Sequence, residues 1–423
     1  MDVPTQAPFV FDPSTERFAL DPYPDYAWLR ANAPIYHWRE RDALVISRMA
    51  ELREFFNEPR LSFDVRTWEH YPGDALFEQP RYRAWARVNS AGLFRLSPTD
   101  HARVRKLASV ALTPRAVREL DDAVQRAVDD SLAQLIADQA EVVNVREFAE
   151  RIPLRVICDL LGIPDELRAS FRRFGIAVIR SVQPYNELEV MNEIADAFTE
   201  GVGLLDQVIA ERRAMAERPD DLLSRWIEAN EDQQRLSDDE LIGLVTALIA
   251  AGSDTTVHGT CYAVHALLLH RDALGELQAD RSLLRGAIEE SLRWDGFGKI
   301  GLVRYASEAF EFCGTPVRKG QLVAALGGSA ARDPDAYEDP DRFDIRRDHL
   351  QNLTFGLGRH FCLGANLARS ELTRAVETLL LDRFPEAELA GPPSVDPHDP
   401  IMRPMTNLPV RLGPDQRSAK GSA

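Results

Sequence analysis

Between Asp239 and His270 apolar residues dominate, and Leu244, Val245, Leu248 and Ile249 recur at helical spacing. That pattern predicts a long helix packed into a core. Amphipathic stretches of the same period run over Val117–Asp138 and Phe198–Glu217. Leu283–Trp294 predicts another helix, and the apolar spacing of Ala365–Leu381 predicts a core helix. Pro98–Leu112 should be helical, with Ser97 as its cap and Thr113-Pro114 as its stop. The β signal is smaller. Ile35–Trp38 and Ala43–Ser47 predict a hairpin, and strand-like runs flank the turns at Cys313-Gly314 and Lys319-Gly320 within Arg304–Leu326. A turn at Asp21-Pro22-Tyr23-Pro24 leads to a short helix from Tyr26 to Pro34, and Asp333–Phe343 is a loop rich in Pro and Asp. The pattern as a whole predicts a mainly α chain with a minor β region. No repeat or low-complexity linker interrupts it. One domain is therefore expected over 21–412, with an N-terminal extension over 1–20 and a tail over 413–423, disordered from Arg417.

Composition narrows the function. The 423 residues carry a net charge of −17, which argues against nucleic acid, because phosphate binding needs a basic face. The four cysteines, Cys158, Cys261, Cys313 and Cys362, contain no C-x-x-C, so neither a disulfide framework nor a zinc knuckle is expected. The first residues show no secretory pattern. No stretch was read as reaching the about 20 apolar residues of a membrane span. The expectation is a cytoplasmic, monomeric protein without a membrane anchor.

The chemistry concentrates at Cys362, in Phe355-Gly356-Leu357-Gly358-Arg359-His360-Phe361-Cys362-Leu363-Gly364. Glycines let this backbone bend tightly and lie close to a flat partner. The helix predicted to follow points amide groups and a positive dipole end at the sulfur. Both favour the thiolate, the form that binds metal. A thiolate in a glycine-rich loop beneath a flat surface suggests axial ligation of haem iron. His360 and Cys362 could instead form half a zinc site, but no second half-site of suitable spacing follows.

This loop resembles the haem-binding loop of the cytochromes P-450 at Phe355, Gly356, Gly358, Arg359, His360, Cys362 and Gly364. The resemblance implies that family's fold, with haem b between two long helices, and dioxygen as cosubstrate. It also implies that Ala250-Ala251-Gly252-Ser253-Asp254-Thr255-Thr256 crosses the distal haem face. Thr255 would then be the catalytic hydroxyl and Asp254 its acidic neighbour that relays protons. Taken alone, the segment reads rather as a mid-helix kink with a back-bonded threonine, and the Cys362 loop beside it reverses that balance. Glu290 and Arg293 match the E-x-x-R motif, expected as a buried structural ion pair. Pro340-Asp341-Arg342-Phe343 departs from its companion motif by Asp for Glu, and Ala331 stands where Asn is usual. His101, Arg105, Arg304 and His360 match the propionate-binding positions. Pocket residues implied by position are Ala247, Ala250, Ala251, Ile300, Leu302, Ile401 and Met402, with Lys299 as a solvated lysine or a carboxylate anchor. Their apolar character points to a hydrophobic terpenoid or steroid-like substrate, with a fatty or aromatic acid as runner-up. The chain has no nicotinamide or flavin fingerprint. The resemblance therefore implies a monooxygenase reduced by a separate ferredoxin or flavodoxin, docked on Arg103, Lys106, Arg115 and Arg359. The alternative is a haem-thiolate sensor or ligand-binding protein without turnover.

Overall fold

A computed structural model describes residues 9–71, 73–182, 187–231, 236–301, 303–348, 352–399 and 401–416. At its centre the predicted Asp239–His270 helix is two helices, Asp238–Ser253 and Thr255–Leu269, broken at Asp254 (φ −124°, ψ −37°). The first begins with a capping box. The Ser237 hydroxyl accepts from the Glu240 amide, and the Glu240 carboxylate accepts from the Ser237 amide at 2.8 Å. This helix packs on Arg83–Ala91, Val145–Leu161 and Arg168–Ser181. The second packs on Val145–Leu161, Leu284–Trp294 and Ala365–Val376. The pair over Asp238–Leu269 is long and apolar enough to cross a bilayer by length and composition, contrary to the expectation that no stretch would be. Its apolar window is 71% buried among the other helices, as suits a core.

The minor β region is also as expected. The Ile35–Trp38 and Ala43–Ile46 hairpin pairs Ile35 with Ile46. Ala43–Ile46 then runs parallel to Leu322–Ala325, which pairs antiparallel with Arg304–Ala306, and Leu61–Ser62 closes the sheet. The central parallel strands are buried at every residue, which explains their unbroken apolar sequences. This sheet places Arg304 in the interior, at the start of its strand.

Other boundaries moved for local reasons. Val117–Asp138 is divided at Leu120, between Pro114–Glu119 and Asp121–Leu135. The helix read as Phe198–Glu217 is longer at its start, Leu188–Ala214. Ala365–Val376 continues as a π-helical turn over Glu377–Arg383. Val145–Leu161, a central helix, carries Pro153 in its interior, a residue that conceals a helix from pattern reading.

The Glu290–Arg293 pair is wholly buried, with both side chains 0% exposed. Two parallel bonds of 2.7 and 2.8 Å join them. Arg293 also donates to the carbonyls of Ala331, Pro340 and Arg342, and Glu290 accepts from the Asp344 amide at 2.7 Å. One helix turn thus holds the irregular segment 331–344. The substitutions there leave this arrangement intact, because it uses backbone carbonyls. Glu290→Ala strands a buried guanidinium and should cost about 3–5 kcal/mol. Urea unfolding and haem content of the purified variant check this. A second buried acid, Glu371, has an unpartnered Oε1, and burial pushes its carboxyl up to about 8 from 4.5. Its raised folded value means that the folded state holds a proton which the unfolded state has lost between those two pH values. Its contribution to stability is therefore present at low pH and lost as pH rises from about 4.5 through about 8. Glu371→Gln should flatten that slope and raise the unfolding midpoint at pH 8, read by thermal melts across pH.

Candidate active site: a cysteine loop, a cluster of cations and a broken helix

Gly356 and Gly358 hold φ of +72° and +67°, the left-handed region that glycine enters without strain. The turn they make returns the chain, so the Cys362 amide donates to the Phe355 carbonyl at 2.8 Å. The Ala365–Val376 helix starts three residues beyond the sulfur. The Gly364 amide bonds to that sulfur, and the charges of Arg105 and Arg369 favour its ionised form. Burial nevertheless outweighs them and pushes the thiol above its ordinary value. The amide and the cations act in the direction expected of the loop, burial acts against them, and a coordinated metal would add to the side of the thiolate.

Beside the loop lies a group of basic side chains with no carboxylate among the groups that shift them. His101 is 4% exposed, and its Nε2 has no partner among the described residues. Its ring lies 4.6 Å from the ring of His360. Burial, then His101, Arg359, Arg304 and Arg105, push His360 down to about 3. Arg304 donates through Nη1 to the Phe55 carbonyl at 2.6 Å and lies over the Phe55 and Phe63 rings, but its buried Nε and Nη2 have no hydrogen-bond partner among the described residues. Burial and Arg359 bring its guanidinium down to about 10. Arg105 donates to the Phe361 carbonyl, which ties the Pro98–Ser109 helix to the loop, and burial lowers it too. The four predicted residues His101, Arg105, Arg304 and His360 therefore converge. Unpaired buried donors of this kind are costly without an anionic partner. Two carboxylates on a flat, apolar group that offers a metal to Cys362 would answer all of it, and haem has that chemistry.

The third part is the helix break. The Thr255 hydroxyl donates to the Ala251 carbonyl at 2.7 Å. This is the back-bonded threonine that the sequence left open, and it frees the hydroxyl lone pairs to accept. Gly252 sits where a Cβ would meet the Ile157 side chain at 2.5 Å, so it is needed for close helix packing as well as for an opening. Ala251 is exposed although most of its helix is buried, and Phe94 is 46% exposed beside His360. Space therefore opens at both places. Asp254 is half-buried, and burial would raise its carboxyl, but His258, Arg146 and Arg172 together bring it below its ordinary value. His258 was not singled out in the sequence. Its signal was the spacing of four from Asp254, which puts the two on one face.

A family model described as Cytochrome P450 matches residues 167–407, more than half of the chain. The epothilone C/D epoxidase of Sorangium cellulosum is 38% identical over 97% of both chains. The vitamin D(3) 25-hydroxylase of Pseudonocardia autotrophica is 34% identical over 94% of this chain and 95% of that one. The crystal structure of epothilone D-bound cytochrome P450epoK superposes with a TM-score of 0.87 at 37% identity. That match covers 96% of this chain and 100% of the other.

The chain belongs to the cytochrome P450 family.

It is a monooxygenase with that family's fold, and the family brings haem and the use of dioxygen. The cation cluster and Cys362 fit the group. As a cytochrome P450 its pocket residues divide. Ala250 is buried and Ala247 half-buried, next to the exposed Ala251. The Lys299 and Ile300 amides both donate to the Ile401 carbonyl, and Gly298 pairs with Met402, so the two segments expected at the pocket are joined through their backbones. Ile300 itself packs with Phe11, Phe18, Tyr26 and Leu322 in the core against the five-stranded sheet, so it is a core residue. Leu302 lies outside the described residues. Lys299 is neither solvated nor free, because it is 1% exposed and donates to the carbonyls of Pro397 and Asp399 at 2.9 and 2.7 Å. The donor-facing cations need one correction as well. Arg103 is engaged by Asp100 at 2.9 Å and by Glu240, whereas Lys106, Arg115 and Arg359 are exposed.

Arg304→Gln should speed haem loss to an acceptor apoprotein roughly tenfold to a hundredfold, as one charge-assisted hydrogen bond of about 1.5–3 kcal/mol implies. Haem transfer followed at the Soret band measures it. An unchanged rate would place the propionates away from Arg304.

Proposed function

We propose that this cytochrome P450 inserts one oxygen atom of dioxygen into a bulky hydrophobic polyketide, macrolide or steroid-like molecule. In that reading 21–412 forms a single catalytic unit in the cytoplasm. The relatives named for epothilone and vitamin D(3) support the substrate class. The apolar Ala247, Ala250 and Met402 fit it better than a fatty or aromatic acid. An acid would want a free cation in the pocket, and Lys299 is already taken up by two carbonyls.

The observation that carries the reading is the acid–alcohol pair at the helix break, within a fold that also holds Cys362 beside two buried bases, His101 and Arg304, and two half-buried ones, Arg105 and His360. Haem b, when bound, supplies dioxygen binding and the oxidising chemistry. Cys362 holds it from one side, and His101, Arg105, Arg304 and His360 take its propionates. Asp254 takes protons from solvent, and Thr255, its hydroxyl hydrogen committed to the Ala251 carbonyl, offers lone pairs that order them towards the reacting oxygen. The apolar Ala247, Ala250, Ile401 and Met402 orient the substrate and exclude water, with Ile401 held by the Lys299 and Ile300 amides. Electrons come from a separate ferredoxin or flavodoxin, which docks on Lys106, Arg115 and Arg359; exposed Val110 and Phe361 give that face apolar footing. A sensor without turnover would have no use for Asp254 beside Thr255.

The test uses holoprotein with a surrogate ferredoxin and reductase, ¹⁸O₂ and a panel of macrolides and steroids. A compound that shifts the haem spin state should yield product carrying one ¹⁸O atom. Asp254→Asn and Thr255→Ala should each lower product per NAD(P)H roughly 10- to 100-fold. Compounds that shift the spin state and speed NAD(P)H oxidation without any labelled product would overturn the reading.

A further inference from the structure

His258 is the buried titratable group nearest the proposed proton route for which no role has yet been given. It is 0% exposed, one helical turn beyond Asp254, with its Nε2 3.3 Å from Asp254 Oδ2. Neither ring nitrogen makes an aligned hydrogen bond. A histidine merely filling space would leave two polar atoms dry, which a Phe or Leu would avoid. The nearest ring is Phe297, 6.1 Å away between centroids.

Asp254 is pulled from two sides. Arg146 and Arg172, on the Val145–Leu161 and Arg168–Ser181 helices, act on it from outside its own helix. Both are half-tied already. Arg146 donates to the Met405 carbonyl at 3.0 Å and lies 3.6 Å from Glu150, which also pairs with Arg172. Asp399, on the turn before Ile401, is a further acid in the field of Asp254. These groups are partly exposed and lead to solvent. His258 is the buried group on Asp254's own helix. A carboxylate that must meet solvent at one moment and Thr255 at another needs one fixed point. A side chain one turn away on the same helix supplies it without depending on how the neighbouring helices move.

We propose that His258 is a positioning residue for proton delivery, and that its Nε2 fixes the carboxylate of Asp254 at the helix break. It touches neither substrate nor cofactor. Each proton that Asp254 gives up is replaced by one from solvent, so the carboxylate ends the cycle as it began, and His258 sets only where the exchange occurs. The proposal rests on the monooxygenase reading above.

Two variants separate positioning from packing. Gln places its amide nitrogen near the position of a histidine Nε2, whereas Asn reaches only to the position of Nδ1. Both are polar, smaller than histidine and compatible with a helix. The first readout needs no turnover. The C–O stretch of the ferrous carbon monoxide complex responds to charges on the distal side. The second is product per NAD(P)H together with its solvent isotope effect. His258→Asn should shift or split the C–O band, lower product per NAD(P)H roughly tenfold with peroxide made instead, and enlarge the isotope effect. His258→Gln should keep the wild-type band and most of the coupling. Equal haem content and equal substrate-induced spin shift in both variants exclude a folding cause. If the Asn and Gln variants give the same band and the same coupling, the proposal is overturned. Failure of the wild type to make any product would instead refute the monooxygenase reading and leave the carbon monoxide comparison to decide the position of Asp254.

Discussion

Basic side chains gathered at one place without a carboxylate are the constraint that organises this protein. His101, Arg105, Arg304 and His360 come from a helix, a strand and a loop that are far apart in the chain. They meet around one space, where burial first and then neighbouring cations, Arg359 among them, push their proton affinities down. Such an arrangement has a poor claim to exist for stability. It makes sense as half of an electrostatic pair whose other half arrives with the prosthetic group. The cysteine follows the same logic. Burial disfavours its charged form, and a bound metal would favour it.

The rest of the structure positions these groups. The five-stranded sheet carries Arg304 inward, and the Pro98–Ser109 helix carries His101 and Arg105 to the loop. Glu290 and Arg293 stand apart from the chemistry and grip backbone carbonyls along 331–344, ahead of the cysteine loop. Because the grip is on main chain, side chains along that segment are free to vary, which accounts for Ala331 and Asp341 at positions where the resemblance led one to expect Asn and Glu.

Much of this was legible before any coordinates. Fixed spacing carried the information at the Cys362 loop and at Glu290–Arg293, because both depend on residues close together in the chain. The propionate cluster was accessible only through family resemblance, since no local pattern links His101 to Arg304. What stayed hidden depended on tertiary packing. Helix Val145–Leu161 was masked by its own proline, which the surrounding helices tolerate. Ile300 was assigned to the pocket by position but is claimed by the core beside the sheet. Lys299 looked solvated because lysine usually is, and only the fold shows two carbonyls waiting for it. Arg103 was counted as free for a partner until Glu240, 137 positions away, was found against it.

The lysine staple has a bearing on how such an enzyme could change its diet. Lys299 clasps the turn at Pro397 and Asp399 while its own amide, and that of Ile300, bind Ile401. Two segments about a hundred positions apart in sequence, proposed above to bear on the substrate, are thereby joined into one plate. A larger guest cannot be admitted by bending either strip alone. Natural or laboratory evolution towards new guests should therefore alter both strips together, or leave the plate alone and reshape the opposite side of the chamber.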